Sequence, residues 1–180
     1  LEILGLYQQL DAAHQRFMKH LAKVQPGSEK NLELLQTMMV QTSARNNFLG
    51  HIAKIRLGAV NAEVTLNIGQ NQSIVASITR DSAESLDLQK GMRILAFLKA
   101  SSIIVALPSE CKLSARNQLE GTICRIERGA INAELSIEVS AKHRITAVVS
   151  LDSLNEMNLQ EGRRALAIFK ASRVLLGTVE

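Results

Sequence analysis

Ser43 and Arg45, Thr79 and Ser82, and the run Lys99-Ala100-Ser101 offer cations, hydroxyls and backbone N–H groups, and almost nothing that accepts a proton. The set recurs. At one fixed offset the chain carries Ser114 and Arg116, Ser150 and Ser153, and Lys170-Ala171-Ser172. Backbone N–H groups at turns and helix starts attract anions, and Arg and Lys add the countercharge. A fully deprotonated tetrahedral dianion asks for donors only, whereas phosphate near neutral pH keeps a proton and wants an acceptor as well. A donor-only cradle therefore selects molybdate, tungstate or sulfate over phosphate, and cavity size separates sulfate from the larger two. Asp81 would repel such an anion, so its carboxylate is expected to cap the following helix.

Nothing comparable supports catalysis, and the expectation is a binding protein without a catalytic cofactor. His14, His20, His51 and His143 are scattered, with no Cys or carboxylate at ligand or triad spacing. Cys111 and Cys124 lack metal spacing, which fits a reduced cytoplasmic protein whose only metal is that of the oxyanion. No Gly-rich phosphate loop is present. Glu63 and Glu134 fall out of phase with the apolar strand positions and read as charges on an exposed strand face.

The elements that must place these donors come as an internal repeat. Ser43-Ala44-Arg45-Asn46 returns as Ser114-Ala115-Arg116-Asn117, Asn61-Ala62-Glu63 as Asn132-Ala133-Glu134, and Gly91 as Gly162. With no gaps, about 25 of about 65 aligned positions are identical, far above chance for one offset. Within each copy Val60, Ala62, Val64, Leu66 and Ile68, and then Ile131, Ala133, Leu135, Ile137 and Val139, alternate with polar residues. That period predicts a strand with one buried face. Gly69-Gln70-Asn71-Gln72 predicts a hairpin into Ser73–Ile78, and Asp81-Ser82-Ala83-Glu84 a short capped helix reaching Leu88. Apolar runs over 94–98 and 103–107 complete five short strands per copy, the content of a small OB-like barrel. A mainly β protein follows, with modules over 41–110 and 111–180. Neither has much core of its own, so the copies should pack on each other or on a second chain.

Residues 1–40 differ. Ile3, Leu6, Leu10, Ala13, Phe17, Leu21 and Val24 form a helical stripe close to a coiled-coil seam, and Pro26-Gly27-Ser28 ends it. The segment is expected to be a helical linker that dimerises. The chain starts at Leu1 within this pattern and reads as a fragment. Of its 180 residues 46% are hydrophobic, 21% charged and 3% aromatic, with a formal charge of +4. So few rings cannot build a base-stacking surface for single strands. The charge is roughly neutral before residue 42, about +3 over 43–112 and about +1 over 113–180, with no basic tract for duplex DNA. No apolar run reaches the ~18 residues of a membrane span, and no signal peptide is visible.

The Ser-Ala-Arg-Asn start, the Asn-Ala-Glu strand and the Lys-Ala-Ser end resemble the molbindin (Mop) module of the TOBE superfamily. Two of them in tandem behind Gln41-Thr42 resemble the C-terminal half of the ModE family of molybdate-dependent transcriptional regulators, over essentially the whole chain. The resemblance implies a homodimer binding molybdate or tungstate between Mop modules, with Ser43, Arg45, Thr79, Ser82, Lys99 and the Ala100 backbone as ligands. It also implies a winged helix-turn-helix as the only route to DNA, reached through the helix of Leu1 to Val24; no such fold lies within these residues. The second copy keeps both its Ser-Ala-Arg-Asn and its Lys-Ala-Ser, so Ser114, Arg116, Ser150, Ser153, Lys170, Ala171 and Ser172 are the candidates for a second site, and whether one or two types of site form stays open. Without anion, clustered Arg45 and Lys99 should repel and loosen the interface. A cytoplasmic molybdate-storage protein is the alternative; a transporter ATPase module and a nucleic-acid-binding barrel fit less well.

Overall fold

The computed structural model describes residues 42–109 and 112–178. The helical segment expected over 1–40 lies outside the described residues, as do His14, His20 and Cys111. Each repeat opens with a long strand, β1 (Asn46–Leu57) or β6 (Asn117–Arg128). The alternating segments then form β2 (Asn61–Gly69) and β7 (Asn132–Ser140), which bury Ala62, Val64, Leu66 and Ile68, and Ala133, Leu135, Ile137 and Val139. Val60 and Ile131, expected on the same buried face, are instead 73% and 77% exposed. The chain is still reversing there: Gly58 N–H donates to Asn61 O at 2.8 Å and Gly129 N–H to Asn132 O at 2.8 Å, so both residues ride two-residue hairpin tips.

β3 (Gln72–Thr79) and β8 (His143–Ser150) follow. The first β2–β3 turn has Gln70 and Asn71 at φ 52° and 60°, the doubly left-handed geometry that suits the twist of a tight hairpin. Helices α1 (Arg80–Ser85) and α2 (Leu151–Glu156) lead to β4 (Arg93–Leu98) and β9 (Arg164–Phe169). Asp81 is not the cap of α1. Thr79 is, because it is the last extended residue and its Oγ1 accepts from Ser82 N–H at 3.1 Å; Asp81 lies in the first turn. Along β1, pairing passes from β4 to β2 across a bulge between Ile52 and Lys54. Gly50 permits that close approach, since a Cβ there would stand 2.7 Å from Asn67 O.

After β4 a 3-10 turn over Ala100–Ser102 sends the chain away from its own sheet. β5 (Ile104–Ala106) pairs antiparallel with β9 of the second copy, Val105 opposite Ala167. The equivalent turn Ala171–Arg173 delivers β10 (Leu175–Thr178) to β4 of the first copy, Leu175 opposite Phe97. The sheets therefore run β10-β4-β1-β2-β3 and β5-β9-β6-β7-β8, each with four strands from one copy and a fifth from the other. One hydrophobic cluster spans both, from Phe48, Leu66 and Leu98 to Leu135, Leu154 and Phe169. Neither copy closes a core alone, in line with its small size.

Two buried polar residues fix this exchange. Asn46 Nδ2 donates to Leu98 O at 3.1 Å and to Thr146 O of β8 at 2.9 Å, while its Oδ1 accepts from Thr146 N–H at 2.6 Å. Asn117 Oδ1 accepts from Val75 N–H of β3 at 2.7 Å, and its Nδ2 donates to Val75 O at 2.8 Å. Each amide imitates a short piece of β ladder and covers an edge strand of the other module, where unpaired backbone groups would be costly. Gln72 Nε2 to Val139 O and His143 Nε2 to Ile68 O, both 2.6 Å, repeat the same crossing farther along.

Candidate functional site

The register Asn46 opposite Leu98 sets Arg45 beside Lys99, at the end of sheet one where β1 begins and β4 stops. Ser43 lies two residues upstream, exposed, in a bend. The Lys99-Ala100-Ser101 corner is the 3-10 turn itself. Its own hydrogen bonds begin with Ser102 N–H donating to Lys99 O at 2.9 Å, which leaves the N–H groups of Ala100 and Ser101 outside the turn's bonding. Ala100 is buried, whereas Lys99 and Ser101 are exposed, so an anchored turn presents two solvent-facing donors. Ser114, Arg116 and Lys170-Ala171-Ser172 repeat this arrangement at the end of sheet two, Asn117 being opposite Phe169.

Thr79 and Ser82 are not beside them. Thr79 pairs with Asn61, so it closes the hairpin end of sheet one, the far end of β1 from Arg45. The exchange supplies substitutes. The Ala100–Ser102 turn packs against β8, and the Ala171–Arg173 turn against β3. Asn46 reaches Thr146 and Arg45 reaches Glu134, which pairs with Val148, so stepping back from β1 advances along β8 toward Ser150. Ser43, Arg45, Lys99, Ala100 and Ser101 of one copy thus face the end of β8 that carries Ser150 and Ser153. By the same crossing Ser114, Arg116, Lys170, Ala171 and Ser172 face the Thr79 and Ser82 end of β3.

The hydroxyls are prearranged in pairs. Thr79 Oγ1 and Ser82 Oγ lie 2.7 Å apart, and Ser150 Oγ donates to Ser153 Oγ at 2.9 Å while accepting from Ser153 N–H at 3.1 Å. The Ser150 pair is half-buried and the Thr79 pair exposed.

Glu63 and Glu134 carry a role that the alternation pattern concealed. They are not simply charges on an exposed strand: Arg45 Nη2 donates to both oxygens of Glu134, at 2.9 and 3.2 Å, and Arg116 Nη2 to Glu63 Oε1 at 3.2 Å. The Glu134 side chain is 28% exposed and that of Glu63 31%. Arg56 adds a looser contact to Glu63 at 3.7 Å. The Arg45–Glu134 and Arg116–Glu63 pairs join opposite modules, so the expected repulsion between Arg45 and Lys99 is offset by a carboxylate, and the arginine is tethered rather than splayed. The only signal for this in the sequence was that Asn-Ala-Glu recurs with its acid intact.

Among the described residues no group of His, Cys, Asp and Glu could hold a metal ion. His143 is engaged with Ile68 O and stands edge-on to Phe48 at 6.1 Å, while Cys124 is a free, exposed thiol. No helix among the described residues is long and apolar enough to cross a membrane.

The model of the TOBE domain matches residues 42–105 and 113–176. Over 179 residues the chain is 35% identical to the molybdenum transport protein ModE of Azotobacter vinelandii, covering 97% of this chain and 66% of that protein. It is 29% identical over 149 residues to the DNA-binding transcriptional dual regulator ModE of Escherichia coli (strain K12), covering 82% of this chain and 56% of that protein. The chain thus spans about two thirds of the first relative and just over half of the second. A solved structure of the cytoplasmic molybdate-binding protein ModG with molybdate bound is similar at a TM-score of 0.75 and 39% identity, over 77% of this chain and 99% of that one.

Proposed function

Because the chain belongs to the TOBE domain family, we propose that its crossed donor sets bind molybdate or tungstate and that it is the oxyanion-sensing part of a dimeric transcriptional regulator. In this reading 41–110 and 111–180 are the two modules and 1–40 the helical dimerisation segment. DNA is contacted by a winged helix-turn-helix outside this sequence, and the protein works in the cytoplasm. The carrying observation is the crossing itself: the Arg45 and Lys99 corner meets β8 of the other module and the Arg116 and Lys170 corner meets β3. An anion seated there touches both modules at once.

That shared seat gives a mechanism. Arg and Lys neutralise the dianion and hydroxyls and turn N–H groups donate to its oxygens, while the carboxylate acceptors at the seat, Glu134 and Glu63, are engaged by the arginines. Glu134 and Glu63 hold the arginines until the anion competes for them. Binding energy realised in one relative arrangement of the modules shifts the population toward it. In the whole regulator that arrangement sets the spacing of two DNA-binding heads.

Calorimetry and native mass spectrometry with molybdate, tungstate, sulfate and phosphate test the reading together. Saturable binding of the first two, weaker sulfate and no phosphate are expected; phosphate binding as tightly as molybdate would remove the donor-only cradle. Storage is the second reading, favoured by the match to nearly all of ModG. Operator binding by the intact protein that responds to molybdate separates sensor from store.

A further inference from the structure

A cleft of about 620 Å³ opens on the first module, away from the anion corners, lined by Ala53, Lys54, Ile55, Leu57, Leu88 and Lys90 with Gln89 at its rim. Its floor is a free strand edge. Gly58 and Asn61 form a hydrogen-bonded pair, so by the antiparallel alternation Arg56 and Glu63 exchange bonds while Ile55 and Val64, and Leu57 and Ala62, do not. The N–H and C=O of Ile55 and Leu57 therefore point away from β2. β4 does not cover them, because its pairing with β1 stops at His51.

The second module shows what belongs there. Ile126, the counterpart of Ile55, donates its N–H to Glu161 Oε1 at 3.0 Å. Lys90 occupies the position of Glu161 in the first module and has nothing with which to accept that bond. Lys54 lies on the same rim, and neither lysine makes an ion pair or side-chain hydrogen bond among the described residues. The nearby carboxylate, Asp87, accepts from Gln89 Nε2 at 3.2 Å on both oxygens. In the second module Arg125, the counterpart of Lys54, pairs with Glu127.

We propose that the cleft between Lys54, Lys90 and the Ile55 N–H binds a glutamate side chain carried on an acidic segment of a partner protein. Glu161, a glutamate held in a polypeptide, is the internal stand-in. The open edge accommodates the extended backbone on either side of such a residue, as in strand addition to a sheet edge. Leu57, 59% exposed, and half-buried Leu88 give its neighbours an apolar rest. This site does not depend on the oxyanion reading.

The test follows backbone amides by NMR in the full chain, titrated with an acetylated, amidated tripeptide bearing a central glutamate and with its glutamine twin. The glutamate peptide should shift the Ile55 amide saturably and the glutamine peptide should not. Lys90→Glu should move the Ile55 amide toward the Ile126 position without peptide and abolish the response. Glu161→Lys should transfer a response to Ile126. Lys54→Ala should weaken binding about two- to fivefold, the scale of an exposed ion pair. Equal response to both peptides, or an Ile55 amide unmoved by both peptide and Lys90→Glu, overturns the site; free glutarate matching the peptide overturns the protein partner. Molybdate affinity of Lys90→Glu should be unchanged, so failure of the oxyanion reading is seen separately.

Discussion

Asn46 and Asn117 hold equivalent places in the two modules, yet Asn46 makes three hydrogen bonds and ties its own β4 to β8, whereas Asn117 makes two, both to Val75. The hydroxyl pair facing the first corner is half-buried and that facing the second exposed. Along the free edge of the long strand the contrast is in charge: Lys54, Arg56 and Lys90 against Arg125, Glu127 and Glu161. Duplicated modules share what the interface between them requires and diverge along the strand edges that each turns outward. The Arg–Glu ties and the two asparagines belong to the first class, the Lys90 cleft to the second.

The asparagines give the largest expected effect. Asn46→Ala strands Thr146 N–H and two carbonyls and should cost about 3 kcal/mol in urea unfolding, with Asn117→Ala nearer 2 kcal/mol. Equal losses would erase the asymmetry between the crossings. Next come the corners: Lys99→Ala and Lys170→Ala should each weaken molybdate binding by about 1.5–3 kcal/mol in calorimetry, the range for hydrogen bonds to a charged group. If only one of them alters affinity, a single corner is the site and the symmetric picture breaks. Glu134→Gln is smaller and opposite in sign. Freed from its tether, Arg45 should bind anion more tightly by up to about 1 kcal/mol, while the fold loses about as little, as exposed ion pairs do. Unchanged affinity would show that the carboxylate does not compete.

Most of the strands were legible because alternation over Ala62–Ile68 and its repeat reports a half-buried sheet whatever lies across from it. Where β5 and β10 pair was not legible. A short run such as Ile104-Val105-Ala106 states that it wants a sheet edge, but two copies of one sequence offer two equivalent edges, and only the direction of the 3-10 turn chooses between them. That ambiguity carried into the site. The sequence groups Ser43, Arg45, Thr79, Ser82 and Lys99 as one recurring donor set without saying which module or subunit supplies each; the register sets Arg45 beside Lys99 and Thr79 at the far end of β1. Thr79 capping in place of Asp81 was legible in principle, since a hydroxyl recurs there as Ser150.

The exchanged fifth strands have a consequence for any attempt to halve this molecule. A polypeptide cut between the repeats would leave β4 with a bare flank and β5 with nowhere to lie, so each half would seek its missing piece on a sister molecule. If the two donors bound each other reciprocally the result would be a closed pair resembling the intact chain; if each bound a third, the halves would string into filaments. Covalent fusion of the repeats makes the closed outcome the default at any dilution.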